Sequence, residues 1–148
     1  MKYIIRPMEL SDIDEVVKGE EEIFGESLGV DMFLSELNLN PYAYYFVLEI
    51  NRKVRGYIGT WIESERGEIV NFYVDKKYQG LGYGEMLLDF YLELAKMSGV
   101  NEISLEVRES NEKAINLYNK KGFVFSHKRE KYYKDLEDAL VLVKKGWS

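Results

Sequence analysis

Two spacings of apolar residues alternate along this chain and divide it into helical and extended segments. Apolar residues three or four positions apart predict amphipathic helices over 12–24, 31–37 and 83–98, and from a cap at Ser110 or Asn111 through Lys121. Runs rich in β-branched and aromatic residues, some of them alternating with polar residues, predict strands over 3–8, 43–50, 54–63, 68–74, 100–107, from 123 onward and over 139–144. The predicted order of elements is therefore β-α-α-β-β-β-α-β-α-β-β.

The connections between these elements predict the fold class. Short polar turns at 51–53 and 64–67 join three consecutive strands, which is typical of an antiparallel meander. The strand, helix and strand over 68–107 form a crossover unit, whose two strands run parallel. We therefore expect an α/β (α+β) fold in which a mostly antiparallel sheet contains one parallel pair. At 148 residues, without a repeat or linker, the chain is expected to form a single domain over 1–148.

The start of the first helix is predicted by a capping motif. Ser11 is a favourable N-cap, and Asp14 stands at the acidic position of a capping box, where Glu or Gln is more usual. Gly25 is a suitable stop for the same helix.

Composition excludes several kinds of chemistry. The chain has no cysteine, which excludes thiolate catalysis and disulfides, and its single histidine, His127, argues against a Ser-His-Asp triad and His-rich metal sites. A net charge of −6 argues against a general nucleic-acid binder and favours a cationic substrate, such as an amine or a basic peptide. No apolar run approaches the ~20 residues of a membrane helix, and the N-terminal apolar stretch is too short for a signal peptide, so a cytoplasmic protein is expected.

Three glycines at alternate positions, Gly80, Gly82 and Gly84, join a predicted strand to a predicted helix. Glycine accepts positive φ and allows a ligand to approach the backbone closely. The first N–H groups of a helix are unpaired, and with the helix dipole they form a site for anions such as phosphate. An ordinary turn between strand and helix is the alternative, and the glycines alone leave both interpretations open.

Two common phosphate motifs do not fit this turn. A P-loop requires Gly-Lys-Ser/Thr, whereas Glu85 follows Gly84 here. A dinucleotide fingerprint requires Gly-x-Gly-x-x-Gly, and the spacing here is Gly-x-Gly-x-Gly.

Three spaced motifs resemble the GNAT superfamily of N-acetyltransferases, and within it the RimI-like, archaeal-type branch that acetylates protein N-termini. The first is the glycine turn itself, Val74-x-x-x-Tyr78-Gln79-x-x-Gly82-x-Gly84-x-x-Leu87. The second is Leu105-Glu106-Val107-Arg108-Glu109-Ser110-Asn111-x-x-Ala114-Ile115-x-Leu117-Tyr118-x-x-x-Gly122-Phe123. The third is Arg129-x-x-Tyr132-Tyr133-x-x-x-Glu137-Asp138-Ala139. The resemblance covers residues 3–143 in the same order.

The resemblance implies a GNAT fold with a splayed parallel pair and about four flanking helices, and acetyl-CoA as cosubstrate without a metal. Backbone groups of the glycine turn would hold the pyrophosphate, namely those of Gln79, Gly80, Leu81, Gly82, Tyr83 and Gly84. The backbone of Phe72, Tyr73 and Val74 would lie against the pantetheine and thioester. Asn111 and Tyr118 would make further cofactor contacts, although Asn111 is equally well explained as a helix N-cap.

The same resemblance implies a general base and a general acid. Glu106 would take the proton of the acceptor amine through a water molecule, and Tyr118 would give a proton to the leaving thiolate. From the sequence alone, Glu106 also fits a solvated strand face and Tyr118 a core position on an amphipathic helix. A modest base suits an N-terminal α-amine, because a lysine has a pKa about 2.5 units higher and costs roughly 3.5 kcal/mol more to deprotonate.

On the acceptor side, the resemblance implies that Tyr132 and Tyr133 wall a peptide groove. Adjacent residues of a strand point to opposite faces, and in a strand only one of the two would therefore face the groove. Glu20 is a further candidate there, and a solvated helix face is the alternative. His127 and the charged residues 128–131 are expected to be solvated surface. The chain departs from the branch at 24–29, where a Phe-x-x-Pro-Trp-like turn is usual and Pro and Trp are absent.

The resemblance implies protein or peptide N-termini as partners, ribosomal proteins among them, with no nucleic acid or membrane and a monomer or weak homodimer. Acetylation of a lysine or of a small-molecule amine is the alternative within the same enzyme class. A non-catalytic module that binds acetyl-CoA is the alternative of another class, and the presence of both Glu106 and Tyr118 argues against it.

Overall fold

The structure is a computed structural model that describes residues 2–147. Its strands are β1 (Tyr3–Pro7), β2 (Ala43–Ile50), β3 (Lys53–Glu63), β4 (Arg66–Val74), β5 (Glu102–Arg108), β6 (Val124–Arg129) and β7 (Ala139–Lys145). Its α-helices are α1 (Ile13–Phe24), α2 (Val30–Leu39), α3 (Tyr83–Met97) and α4 (Glu112–Lys120). Short 3-10 turns cover Leu10–Asp12 and Lys76–Tyr78.

The strands form one sheet in the order β1-β2-β3-β4-β5-β7-β6. Every neighbouring pair is antiparallel except β4 and β5, which are parallel. The predicted fold class is therefore confirmed, including the single parallel pair. No helix within residues 2–147 combines the length and the apolar character that a bilayer crossing requires.

The parallel pair separates halfway along its length. Arg66–Ile69 of β4 pair with Glu102–Leu105 of β5, and the pairing ends there although both strands continue. At the same point the register with β3 shifts, so that Gly59 faces Asn71 while Thr60 faces Ile69, which leaves Val70 as a bulge. A bulge bends and twists its strand. The result is an opening between the carboxyl halves of β4 and β5.

The core has two layers, one on each face of the sheet. The larger layer packs α3 and α4 against the sheet, with Leu87, Tyr91, Leu105 and Phe123 among its fully buried residues. The smaller layer packs α1 and α2 against the other face through rings of Phe33, Tyr45, Tyr57 and Tyr73. The helices thus cover both faces of the sheet, and the opening between β4 and β5 lies where the layers meet.

The predicted capping box at Ser11 and Asp14 is wrong. The chain enters α1 through a 3-10 turn, and the backbone N–H of Glu9 donates to Oδ2 of Asp12 at 2.8 Å. Asp12 is buried because Arg6 donates to both of its carboxylate oxygens, at 2.8 and 3.0 Å. The ion pair with Arg6, which lies six positions earlier on β1, therefore favours Asp12 as the acidic residue at the helix start, and helical spacing alone does not indicate it.

Helix α1 lies close to the sheet at Gly19. A Cβ at this position would overlap the hydroxyl and ring of Tyr73, which is itself buried against the helix. The hydroxyl of Tyr73 donates to the carbonyl oxygen of Val16 at 3.4 Å. Glycine is thus required here by close packing, although it is unfavourable in a helix interior.

Replacing Gly19 with alanine should destabilise the protein. Alanine normally stabilises a helix by up to ~1 kcal/mol over glycine, but the overlap with Tyr73 should reverse the sign and cost about 1–3 kcal/mol. Urea unfolding measures the difference. Gly84→Ala is the matched control, since a Cβ there meets only ordinary contacts, 3.7 Å from Phe72. An unchanged or raised free energy of unfolding in Gly19→Ala would show that α1 does not pack as described.

Candidate active site

The glycine turn adopts a conformation that only glycine accommodates easily. Gly80 and Gly82 have φ of 78° and 91°, and Gly82 is the N-cap residue of α3. The side chain of Gln79 turns back and donates from Nε2 to the carbonyl oxygen of Val74 at 2.8 Å. The turn is therefore fixed to the end of β4, and the unpaired N–H groups of the first turn of α3 begin there.

A groove of about 690 Å³, here called the glycine-turn groove, runs from this turn to the start of α4. Eight of the eleven predicted cofactor residues line it, namely Phe72, Tyr73, Val74, Gln79, Gly80, Gly82, Gly84 and Asn111. Two of the others do not reach either cavity. Leu81 points outward and is 59% exposed, while Tyr83 is buried with its ring against Tyr3 and Tyr78.

Gly84 shows that this groove suits a closely bound ligand. Its φ is not positive, and the nearest side-chain atom to a Cβ there is 3.7 Å away on Phe72, so protein packing does not require glycine. A side chain at this position would occupy the groove instead. Two helix N-termini, those of α3 and α4, also border the groove, and their positive dipole ends favour an anion. These features fit the pyrophosphate of a coenzyme.

Asn111 serves as the N-cap of α4, because its Oδ1 accepts from the backbone N–H of Ala114 at 3.3 Å. Both of its expected roles are compatible, since it also lines the groove. Lys76 lines the groove as well, whereas Lys77 does not.

A second cavity of about 340 Å³, here called the splay cavity, lies next to the groove at the opening between β4 and β5. It is bordered by the turn between α1 and α2, the bulged part of β4, the end of β5 and the loop between β6 and β7. The two cavities share lining residues at the opening, namely Phe24, Phe72, Arg108, Asn111 and Ala114. They therefore meet where the parallel strands separate.

Glu106 lies on the wall of the splay cavity, on β5 just beyond the last paired residue. Its side chain is only 20% exposed, so a solvated strand face does not describe it. Glu68 of β4 lies nearby, and burial together with the charge of Glu106 raises the pKa of Glu68. Glu106 is thus a carboxylate on the cavity wall with a second carboxylate close by, while Arg108 and Lys134 also line the cavity.

Tyr118 projects from α4 into the splay cavity. Its ring packs against Phe72 and Phe123, with centroid distances of 6.3 and 5.5 Å. Burial raises the pKa of Tyr118, so its hydroxyl is held in the neutral, hydrogen-bond-donating form and is a weaker acid than an exposed tyrosine. Tyr118 belongs to the core as well, and the core position fixes the ring beside the opening.

Tyr132 and Tyr133 both line the splay cavity, so the expectation of opposite faces is wrong. They lie in the irregular loop between β6 and β7, where strand alternation does not apply. Their rings pack edge to face at 5.1 Å, and the guanidinium of Arg108 lies 4.1 Å from the ring centroid of Tyr133. Burial is the main reason why the pKa of Tyr133 is raised to about 12.

Two arginines to which the sequence analysis gave no role lie at or beside the splay cavity. Arg108 lines it, donates to Asp135 at 2.8 Å and to Glu137 at 2.9 Å, and lies 3.6 Å from Glu26, so it links the loops on the two sides. Arg129 is exposed, as expected, and its guanidinium also lies 3.6 Å from Oε1 of Glu106. The sequence signal for Arg129 was its spacing to Tyr132 within the third motif.

His127 and residues 128–131 are exposed, as expected. Lys128 bonds to Glu109 at 2.8 Å on the surface.

Glu20 is completely buried, so the alternative of a solvated helix face is wrong. It lines neither cavity. Its carboxylate accepts four hydrogen bonds, from the Ser27 hydroxyl, the Leu28 backbone N–H, the Tyr57 hydroxyl and the Asn71 side-chain amide. Any effect of Glu20 on an acceptor must therefore act through these neighbours.

Comparison with known proteins identifies the family of this arrangement. The model of the acetyltransferase (GNAT) family matches residues 12–123. A Bacillus subtilis protein, provisionally named a ribosomal protein bS18-alanine N-acetyltransferase, is 39% identical over 95% of this chain and 94% of its own length. An N-alpha-acetyltransferase of Sulfurisphaera tokodaii is 33% identical over 95% of this chain and 92% of its own length.

A solved structure agrees with these relatives. The ribosomal-protein-S18-alanine N-acetyltransferase of Escherichia coli superposes with a TM-score of 0.90 at 27% identity, covering 99% of this chain and 96% of that one. The sheet with its separated parallel pair, the glycine turn and these relatives lead to one conclusion: the chain belongs to the GNAT family of acetyltransferases and is a RimI-like member of it.

Proposed function

We propose that this enzyme transfers the acetyl group of acetyl-CoA to the α-amino group at the N-terminus of proteins or peptides. One observation carries the proposal. The glycine-turn groove and the splay cavity meet at the opening between β4 and β5, and both Glu106 and Tyr118 border the splay cavity beside that opening. Donor and acceptor would thus each occupy one cavity, and their reacting groups would meet at the opening.

GNAT acetyltransferases use acetyl-CoA, and the residues of the groove are suited to hold it. The backbone of Gln79 to Gly84 would bind the pyrophosphate, with Asn111 beside it. The backbone of Phe72 to Val74 would face the pantetheine and thioester, since these residues lie beyond the point where pairing with β5 stops. Leu81 and Tyr83 would contribute backbone groups only, because their side chains point away from the groove.

In the reaction, the amine nitrogen bonds to the thioester carbonyl carbon and the carbon–sulfur bond breaks, giving an amide and the free thiol of coenzyme A. Glu106 takes the proton that the amine loses, through a water molecule. Tyr118, which borders the splay cavity with its hydroxyl protonated, gives its proton to the thiolate.

The proposed acceptor is an α-amine and not a lysine. An α-amine, with a pKa of about 7.7–8.0, is partly neutral at pH 7, whereas a lysine requires roughly 3.5 kcal/mol more for deprotonation. The names of the relatives favour the same class, since they describe N-alpha-acetyltransferases and enzymes that modify the alanine of a ribosomal protein. We extend this to proteins with free N-termini, ribosomal proteins among them. Tyr132 and Tyr133 would wall the bound peptide.

Peptides with free or blocked N-termini test the proposed acceptor. Each pair should share one sequence containing a lysine, and the enzyme with acetyl-CoA should add 42 Da at the first residue of the free peptide only, as read by tandem mass spectrometry. Addition to lysine in both peptides, or turnover only with small amines, would assign the other acceptor class. Tight binding of acetyl-CoA without turnover on any amine would instead indicate a non-catalytic module.

Replacing Glu106 with glutamine should lower kcat because the amide cannot accept the proton. General base catalysis contributes about 10²–10⁴-fold, and the loss should be smaller at pH 9 than at pH 7, since more of the α-amine is then already neutral. Steady-state kinetics from pH 6 to 9 measure this. Glu102→Gln on the same strand, outside both cavities, is the control. Full kcat across this range in Glu106→Gln would remove Glu106 as the base.

Replacing Gly84 with leucine should weaken coenzyme A binding without unfolding the protein. Leucine favours the helix, but its side chain would fill groove space, at a cost of about 1–3 kcal/mol or roughly 5- to 150-fold in Kd. Calorimetric titration with coenzyme A measures the change. Glu93→Leu, on the exposed face of α3, is the matched control. Equal affinities for Gly84→Leu and the unmodified enzyme would place the coenzyme elsewhere.

A further inference from the structure

We propose that Glu20 is a positioning residue that holds one wall of the splay cavity at the distance an acceptor requires. The wall is the turn over 25–29, between α1 and α2, and the inference rests on the proposed function because it assigns that cavity to the acceptor. Glu20 does not contact the acceptor itself, since it is 0% exposed and lines neither cavity.

The carboxylate of Glu20 joins this turn to the sheet. Oε1 accepts from the Ser27 hydroxyl at 2.7 Å and from the Leu28 backbone N–H at 3.0 Å. Oε2 accepts from the Tyr57 hydroxyl at 2.5 Å and from Nδ2 of Asn71 at 2.6 Å. One oxygen therefore binds the turn, and the other binds β3 and the bulged part of β4.

The turn has little else to fix its shape. It begins and ends with glycines, Gly25 and Gly29, both with positive φ, and it contains no proline. Glycines leave a chain segment with more conformational freedom than other residues do. Its two ends are held by helix bonds, from the Gly25 N–H to the Glu21 carbonyl at 2.9 Å and from the Phe33 N–H to the Gly29 carbonyl at 3.2 Å. Between them, Ser27 Oγ accepts from the Gly29 N–H at 3.0 Å, and Glu26 lies 3.6 Å from Arg108. The carboxylate of Glu20 thus connects the middle of the turn to the core.

The chemistry of the four partners requires a carboxylate at this position. Every partner donates, and an ionised carboxylate offers about four acceptor sites and no donor. Glutamine has nearly the same shape but would present an N–H₂ group to one pair of donors. The hydroxyl of that pair can turn to accept from the amide, but the N–H donor beside it cannot and would be buried without an acceptor, which is unfavourable. Replacing glutamate with glutamine should therefore be more unfavourable at position 20 than on an exposed helix face.

The connection through Glu20 matters to the splay cavity because residues at both ends of the connection line that cavity. Ser27 and Leu28 form one wall, and Asn71 lies on the floor beside the opening. If the bonds to Glu20 are lost, the turn is free to move relative to Glu106 and to Tyr132 and Tyr133 on the opposite side. The glycine-turn groove is built mainly on other segments, so coenzyme binding should be almost independent of Glu20.

A second buried glutamate provides a matched control. Glu36 of α2 is 8% exposed and accepts from the Tyr45 hydroxyl at 2.9 Å, Trp61 Nε1 at 2.5 Å and Asn40 Nδ2 at 2.8 Å. It lines neither cavity and does not contact the 25–29 turn. Glu36→Gln thus disrupts a comparable buried network without touching the acceptor side.

The test compares Glu20→Gln and Glu36→Gln, with acceptor peptide and acetyl-CoA as substrates. Both variants should unfold at lower urea concentration. Only Glu20→Gln should raise the KM for the peptide, by about tenfold or more, because a displacement of about 1 Å at a site can cost about 100-fold. The Kd for coenzyme A should change by less than about twofold in both, as expected for distant sites. Equal peptide KM in the two variants would overturn the proposal.

Hydrogen exchange gives a second measurement that does not need turnover. The backbone amide of Leu28 should exchange faster in Glu20→Gln than in Glu36→Gln under native conditions, relative to the amides of α3. Unchanged exchange of that amide would overturn the role of Glu20 even if the enzyme acetylated another class of acceptor. Failure of the unmodified enzyme on α-amine peptides would contradict the proposed function only.

If Glu20→Gln does not fold, Tyr57→Phe removes one donor from the same carboxylate. Tyr57 is fully buried and lines neither cavity, so it cannot contact the acceptor directly. The peptide KM should rise in Tyr57→Phe, by less than in Glu20→Gln. A peptide KM equal to that of the unmodified enzyme in Tyr57→Phe, in a folded protein, would contradict the positioning role.

Discussion

The separation of β4 and β5 after Ile69 and Leu105 determines the rest of this architecture. Parallel strands hydrogen-bonded along their full length would close the sheet at this point. The bulge at Val70 bends β4, pairing stops, and the two cavities meet in the passage that this leaves between the strands. Helices α3 and α4 each begin just beyond the carboxyl end of one of these strands, so both N-termini border the passage.

Charged side chains of both signs line each cavity. The glycine-turn groove is lined by Lys76, Lys113 and Arg108 together with Glu85 and Asp135. Its preference for an anion therefore rests on the two helix N-termini and the backbone of the glycine turn. The splay cavity is lined by Glu26 and Glu106 together with Arg108 and Lys134, so an amine would depend on its position relative to Glu106 and not on the net charge of the cavity.

Much of the fold could be predicted from the sequence because its patterns are local. The periods of apolar residues, the glycines and the short turns predict the elements, most to within two residues, and the crossover over 68–107 predicts the parallel pair. The start of α1 could not be predicted, because the Arg6–Asp12 ion pair overrides the local capping preference at Ser11.

The lining of the two cavities could be anticipated in part. Gln79, Glu106 and Tyr118 were singled out by motifs that resemble the family, and all three line one of the cavities. The burial of Glu20 was not, because its partners lie 7, 8, 37 and 51 positions away in sequence. Arg108 was part of a motif, but its contacts with the two loops could not be predicted, because they depend on how those loops fold. Pairings between distant segments leave no periodic signal in the sequence.

A crystal structure with a bisubstrate inhibitor, in which coenzyme A is joined through an acetyl group to the α-amine of a short peptide, tests the passage most directly. The pyrophosphate should lie on the backbone of Gln79 to Gly84, the acetyl group should lie in the opening between β4 and β5, and the peptide should lie between the 25–29 turn and Tyr132. Density for the inhibitor that does not cross this opening, or a peptide bound on the groove side, would contradict the proposed site.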